Sequence, residues 1–316
     1  MVTVFLWRRI RNMQLHQLKI FVCAADSGSL SAAARALGLA QSSLTRSLRQ
    51  LELAVGATLM QRGVTGVVLT DAGHALLAHA RQIIDGVQRA EEDVRQRSGE
   101  NGGQVRIACS AVPAQAVLSH SVAMMRRNFP EVQLQISASV YPAVMSLFRA
   151  SAIDFAVGPV PTEGLGGDYQ SEVILRSRFV PVVRLGHPLA TRTRLADLEN
   201  LAWVAAGPTT GPGDACQRAF SIANRPTPVM AARSETVETA IHLISRSDWA
   251  CFIPEPLALD AAKRSIISLV PILEPLPELE VSLFRPSKRI LTPAAQALYS
   301  AIRSSSRSLH SSISTD

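Results

Sequence analysis

Apolar residues recur at helical spacing three times in quick succession near the start of the chain. Leu15, Leu18, Val22 and Ala25 form one stripe, closed by Asp26-Ser27-Gly28. Ser29 is placed to cap a second helix with Leu30, Ala33, Ala34 and Leu37 on its apolar face. After the tight Gly38-Leu39-Ala40 turn, a third helix carries Leu44, Leu48, Leu51 and Val55 on one side and stops at Gly56. Two short β-prone runs bracketing Gly63 and Gly66 then predict a two-stranded wing. From Asp71 to about Arg97 the pattern lengthens. Leu76, Ala80, Ile83, Val87, Ala90 and Val94 alternate four and three apart, the seam of a coiled coil. The run Ser98 to Gly103, SGENGG, breaks it.

Beyond that break, strand and helix patterns alternate. Strands are predicted at Gln104–Cys109, Val132–Ala138, Ile153–Val157, Phe179–Arg184, Ala202–Ala205, Trp249–Ile253 and Glu280–Phe284. Helices are predicted at Pro113–Asn128, Pro142–Ala150, Asp214–Ile222, Glu235–Ser245 and Pro293–Ser304. Such alternation argues for mostly parallel sheets with crossover helices. Ligands in such sheets sit at the carboxyl ends of strands and at helix N-termini. Ser110, Ala111, Val140, Tyr141, Pro208, Thr209, Thr210 and Ser234 are therefore the candidate ligand contacts. Hydroxyls and backbone N–H groups in those places suit a small anion such as a carboxylate. The plainer readings are Ser234 as a helix cap and Tyr141 as core; the neighbouring Arg233 is read either as a clamp for an anion or, more plainly, as one half of a surface salt bridge.

The second and third helices with their glycine turn fit a helix-turn-helix, although an ordinary three-helix cluster has the same spacing. The outer face of the third helix separates the two readings. Opposite its leucines lie Ser42, Arg46 and Arg49, with Thr45 on the flank and Gln41 at the start, side chains that hydrogen-bond to base edges and phosphates. Arg62 falls on the wing, where a phosphate or minor-groove contact is expected.

Composition narrows the classes. At 316 residues and 47% hydrophobic, the chain can fill two or three cores. The net charge of +7 includes Arg8, Arg9 and Arg11 of the first twelve residues, so the rest is only mildly basic. Met1–Asn12 reads as an extension, or as sequence upstream of a start at Met13. Its arginines follow its apolar stretch, the reverse of a secretory signal. No apolar run is long enough to span a membrane. Cys23, Cys109, Cys216 and Cys251 form no CxxC and no zinc spacing, and read as reduced cytoplasmic thiols. Cys216 and Cys251 are the only pair worth weighing as a redox sensor. Neither GxxxxGK[ST], HExxH nor GxSxG occurs, so no catalytic residues, cofactor or metal are expected, and neither an enzyme nor a transported-solute binder accounts for the N-terminal helices.

The run from Leu15 to Gly73 resembles the DNA-binding domain of LysR-type regulators. The resemblance rests on the order of elements, SLSAAARALG, the Gln-x-x-Leu-Thr-Arg start of the third helix, Leu51-Glu52 near its end, and LTDAG after the wing. Ser42 stands where many members carry proline, and Thr45 where many carry serine. Carried over by position, Gln41, Ser42, Thr45, Arg46 and Arg62 should meet double-stranded DNA, with Arg49 beside them. The resemblance implies an α+β chain: a winged helix-turn-helix (13–70), a linker helix (71–97), a hinge (98–103) and a two-lobed, periplasmic-binding-protein-like effector domain. Lobe one would be 104–178 with 280–305, lobe two 179–279, and 306–316 a frayed tail. It further implies dimers and tetramers, a small-molecule effector and contact with RNA polymerase. The segments VYPAVMSLFRASAIDFAVGP, HPLA and GPTTGPGD are similar to a subgroup responding to aromatic acids and sulfonates. An effector-independent architectural DNA-binding protein is the competing reading, and it leaves the second half of the chain without a role.

Overall fold

In the computed structural model, residues 13–63, 66–161, 163–208 and 212–313 are described. They divide into two units at Ser98/Gly99, with the short segment Arg149–Ala152 counted in the first. The expected extension Met1–Asn12 lies outside the described residues.

The first unit opens with α1 (Leu15–Ser27), α2 (Leu30–Ala36) and α3 (Gln41–Val55). Ser29 Oγ accepts from Ala32 N and so caps α2, while left-handed Gly28 and Gly56 end α1 and α3. Leu18, Phe21, Ala33, Leu44, Leu48, Leu51 and Leu59 close the core. Strands β1 (Met60–Gly63) and β2 (Gly66–Leu69) pair antiparallel as the wing. Val67 N donates to Gly28 O at 2.9 Å, tying the wing to the end of α1.

The helix α4 (Asp71–Arg97) starts on Thr70, whose Oγ1 accepts from Gly73 N and donates to Thr58 O. Gly73 itself admits no side chain, because a Cβ there would stand 2.1 Å from Leu59 O. These contacts are the physical content of the LTDAG motif. The coiled-coil seam divides. Leu76 and Ala80 belong to the unit's own core, with Leu77 and Ile84 beside them. Ile83, Ala90 and Val94 are exposed and Val87 half-buried.

The second unit has two lobes threaded on one strand. The sheet order is β4 (Gln133–Ser137), β3 (Gln104–Cys109), β5 (Phe155–Gly158), β11 (Glu278–Pro286), β6 (Tyr169–Arg184), β9 (Ala250–Pro254), β7 (Trp203–Ala206), β8 (Met230–Ser234). A short β10 (Ile267–Leu269) pairs with β6. In lobe one β3, β4 and β5 are parallel, and in lobe two β7, β8 and β9 are parallel. β6 is sixteen residues long. Its Tyr169–Arg178 half pairs with β11, and from Phe179 it pairs with β9. Only its second half is predicted from the sequence.

Helices cover the sheets. After β3 come α5 (Ala111–Pro113), a π-helical turn Ala114–Leu118 and α6 (Ser119–Arg126). Next are α7 (Ala143–Arg149), α8 (Ala215–Ile222), α9 (Val237–Ser245), α10 (Glu255–Lys263) and α11 (Pro293–Ile313). The expected frayed tail is corrected here: α11 runs on to Ile313, and Ser306 is buried against the lobe. Trp203 anchors lobe two, stacked on Phe252 at 5.0 Å and edge-on to Phe220 at 5.5 Å.

Candidate nucleic-acid interface and ligand cleft

An amphipathic α3 dictates which of its side chains can leave the molecule. With Leu44, Leu48 and Leu51 buried, the opposite arc presents Gln41, Ser42, Thr45, Arg46 and Arg49 together on one open surface. Gln50 and Leu53 complete that surface, and Leu53 is 76% exposed. Neither was expected from sequence, although both fall on the same arc at 100° per residue. The only carboxylate of α3, Glu52, points elsewhere: its Oε1 accepts from Leu59 N at 2.8 Å and Met60 N at 3.3 Å. The face is thus polar and cationic, with no acidic group on it.

Two of these side chains are oriented by local hydrogen bonds. Gln41 Oε1 accepts from Ser31 Oγ at 3.1 Å, linking α2 to α3. Thr45 Oγ1 donates to Gln41 O at 2.9 Å, so its proton is spent and its methyl and lone pairs remain. Arg46 and Arg49 form no ion pair with any described residue. Arg62 stands opposite Val67 in the wing, and its side chain lies outside the described set.

The ligand candidates are spread over the carboxyl ends of the parallel strands in both lobes. Ser110 follows β3, is half-buried, and donates its backbone N–H to Val157 O at 2.9 Å. Its hydroxyl has no partner among the described residues. Ala111 beside it opens α5 and is half-buried. Val140 accepts from Val144 N at 3.0 Å, and Tyr141 packs on the cluster around Phe148, with a cis peptide to Pro142. Pro208 follows β7, half-buried, while Thr209 and Thr210 lie outside the described residues.

Ser234 differs from its expected use. It ends β8, and its hydroxyl donates to Thr236 O at 2.8 Å and accepts from Thr236 N at 3.2 Å. Thr236 is the cap of α9. The Ser234 side chain, 8% exposed, is therefore already committed to the strand-to-helix turn.

Cys109, Cys216 and Cys251 are buried. Burial pushes the Cys109 and Cys216 thiols up to about 12. The Cys251 thiol is raised by burial and further by Cys216 close by. Such groups stay protonated, the opposite of a reactive thiolate. Among the described residues no group of three or more His, Cys, Asp or Glu could hold a metal ion, and no helix is long and apolar enough to cross a membrane.

Residues 15–74 match the family described as bacterial regulatory helix-turn-helix protein, lysR family, and residues 98–307 match the LysR substrate binding domain. The HTH-type transcriptional regulator GbpR of Azospirillum brasilense is 23% identical over 303 residues, covering 95% of this chain and 89% of that protein. The SDS degradation transcriptional activation protein of a Pseudomonas species is 27% identical over 292 residues, covering 90% of this chain and 94% of that one. Among solved structures, full-length CbnR complexed with its target DNA superposes with a TM-score of 0.70 at 20% identity, covering 93% of this chain and 100% of that one.

Proposed function

The chain belongs to the LysR family of transcriptional regulators, and from that premise we propose that it binds an inverted-repeat operator and alters promoter activity when a small anionic effector occupies the cleft between its lobes. The observation that carries this reading is the outer arc of α3, which sets Gln41, Ser42, Thr45, Arg46 and Arg49 opposite the buried leucines with no carboxylate among them.

Each side chain has a role suited to its chemistry. The Arg46 fork matches guanine O6 and N7. Thr45, its proton committed to Gln41 O, offers a methyl group to thymine. Gln41 and Ser42 meet bases or sugar at the start of the helix, and Arg49 and Arg62 hold phosphates. A single winged helix reads only a half-site, so two copies act together. The exposed stripe of Ile83, Ala90 and Val94, with half-buried Val87, is suited to pairing two linker helices, and further pairing between effector lobes makes tetramers.

The effector works only through its different affinity for two arrangements of the dimer. Closure of the lobes shifts the spacing of the DNA-binding pairs and with it contact to RNA polymerase. Small aromatic acids and sulfonates are the first class to try. One relative is named for activating degradation of SDS, itself an anion.

The test is a footprint on the DNA flanking the protein's own gene, with and without a panel of such acids. A protected inverted repeat whose boundary shifts with one compound is the expected result. Arg46→Ala should lose about 1–3 kcal/mol of operator affinity and blur sequence preference. Absence of protection at low salt, where phosphate contacts are strongest, would sink the reading.

A further inference from the structure

Several arginines of the second unit are paired with carboxylates. Arg176 pairs with Glu280, Arg178 with Glu255, Arg184 with Asp248, Arg225 with Glu199, and Arg303 and Arg307 share Glu172. Arg233 is not. It is the penultimate residue of β8, its side chain is exposed, and no described carboxylate or carbonyl engages its guanidinium. Neither Glu235 nor Glu238, its nearest carboxylates along the chain, nor Asp214 beside Gly213 forms an ion pair with it.

The guanidinium lies against Gly213. A Cβ added at Gly213 would stand 2.7 Å from Arg233 Nη1, 2.4 Å from Gly207 O and 2.6 Å from Pro208 O. The two carbonyl oxygens leave no room for a side chain at 213, and Arg233 Nη1 stands beside the same stretch of backbone. The Gly213 N–H donates to Pro208 O at 3.0 Å. Because β7, β8 and β9 run parallel, Pro208 and Arg233 lie at their carboxyl ends, where α/β sheets hold ligands. Lobe one presents Ser110, with its uncommitted hydroxyl, at the same end of its own parallel strands.

We propose that Arg233 recognises the oxyanion of the effector, taking a carboxylate, sulfonate or sulfate in the two-pronged geometry its planar fork favours. An exposed guanidinium with no carboxylate partner among the described residues fits that chemistry, whereas the Ser234 hydroxyl next to it is already used. The proposal rests on the cleft being the effector site, as argued above.

The full-length protein is titrated calorimetrically with benzoate, benzenesulfonate and inorganic sulfate, and with the neutral benzamide and benzenesulfonamide at matched ionic strength. Wild type should bind at least one anion and prefer it to its neutral counterpart. Arg233→Ala should weaken that binding about tenfold or more. Arg233→Lys should fall between, since the ammonium keeps the charge and loses the fork. Arg225→Ala, which removes an arginine already paired with Glu199, should bind like wild type. Thermal melting of each variant without ligand reports its folding. Equal anion affinity in wild type and a folded Arg233→Ala overturns the role of Arg233 and leaves the cleft reading standing. Preference for the neutral amides, or no binding of any anion, overturns the proposal as well. The footprint then decides separately whether the cleft senses an uncharged compound.

Discussion

Glu52 sits on α3 yet turns away from its cationic face, and two backbone donors depend on it. Leu59 N and Met60 N both donate to its Oε1, at 2.8 Å and 3.3 Å. Glu52→Ala leaves them without a partner at the point where the wing begins, and should cost about 1–3 kcal/mol in a denaturant melt of the DNA-binding unit. Glu52→Gln keeps an acceptor and should recover part of that loss. An alanine variant as stable as wild type would remove the anchor from the account. The thiols make a second case. Cys109 and Cys216, held up to about 12 by burial, keep protons that the unfolded chain releases above the ordinary thiol range of about 8.5. A group raised in this way contributes stability below that range and loses it as pH climbs toward 12. Stability should therefore fall progressively above about pH 8.5. A thiol reagent at neutral pH should label half-buried Cys23 well before the three buried cysteines, which should react only as fast as the chain opens. Rapid native labelling of Cys216 or Cys251 would instead revive the redox-sensor reading. Of the candidate ligand residues, sequence placed Ser234 at the opening of a helix. It could not show that the hydroxyl was spent on Thr236, because that depends on the turn the chain takes next.

Elements with one buried face were legible, and elements at edges were not. α1, α2, α3 and β3 follow from their apolar spacing, because each presents a continuous stripe or run to one core. β8 is an edge strand of sequence MAARS, with no alternation to betray it, and β10 has only three residues. α10 begins Glu255-Pro256, and the proline that reads as a break is a favoured residue in the first turn of a helix. The α4 seam reads as one surface in the sequence, whereas packing divides it. Its first members bury themselves in their own unit, and only the stripe from Ile83 to Val94 stays available. That division separates folding from association. Val94, 64% exposed in the single chain, should accept an aspartate without loss of helical content. If the stripe pairs two copies, the buried carboxylate should raise the dimer dissociation constant at least about tenfold in sedimentation equilibrium. Unchanged association of Val94→Asp would move the dimer contact elsewhere.

At the scale of the whole molecule, β6 is the one strand common to both lobes, with β11 meeting it where its partners change at Arg178/Phe179. Two sheets sharing a single strand can turn about it while each keeps its hydrogen bonds, and so a ligand between lobes can be felt at a distance without either lobe unfolding. On the proposed reading such a movement would act on the number and spacing of DNA-binding units, and salt dependence counts them. Removing one cation from the phosphate backbone lowers the slope of log affinity against log salt by about 0.9. Arg49 is exposed on the α3 face and has no ion pair among the described residues, so Arg49→Ala takes away one such cation per recognition helix at little cost to folding. A protein reading an inverted repeat with two helices should therefore lose about 1.8 from its slope. One helix on DNA would lose about 0.9, and four would lose about 3.6. Measured with and without an effector, the same variant tells whether ligand changes how many helices are engaged or only where they land. An unchanged slope in Arg49→Ala would take Arg49 off the phosphate backbone and leave Arg46 to account for the cationic face alone.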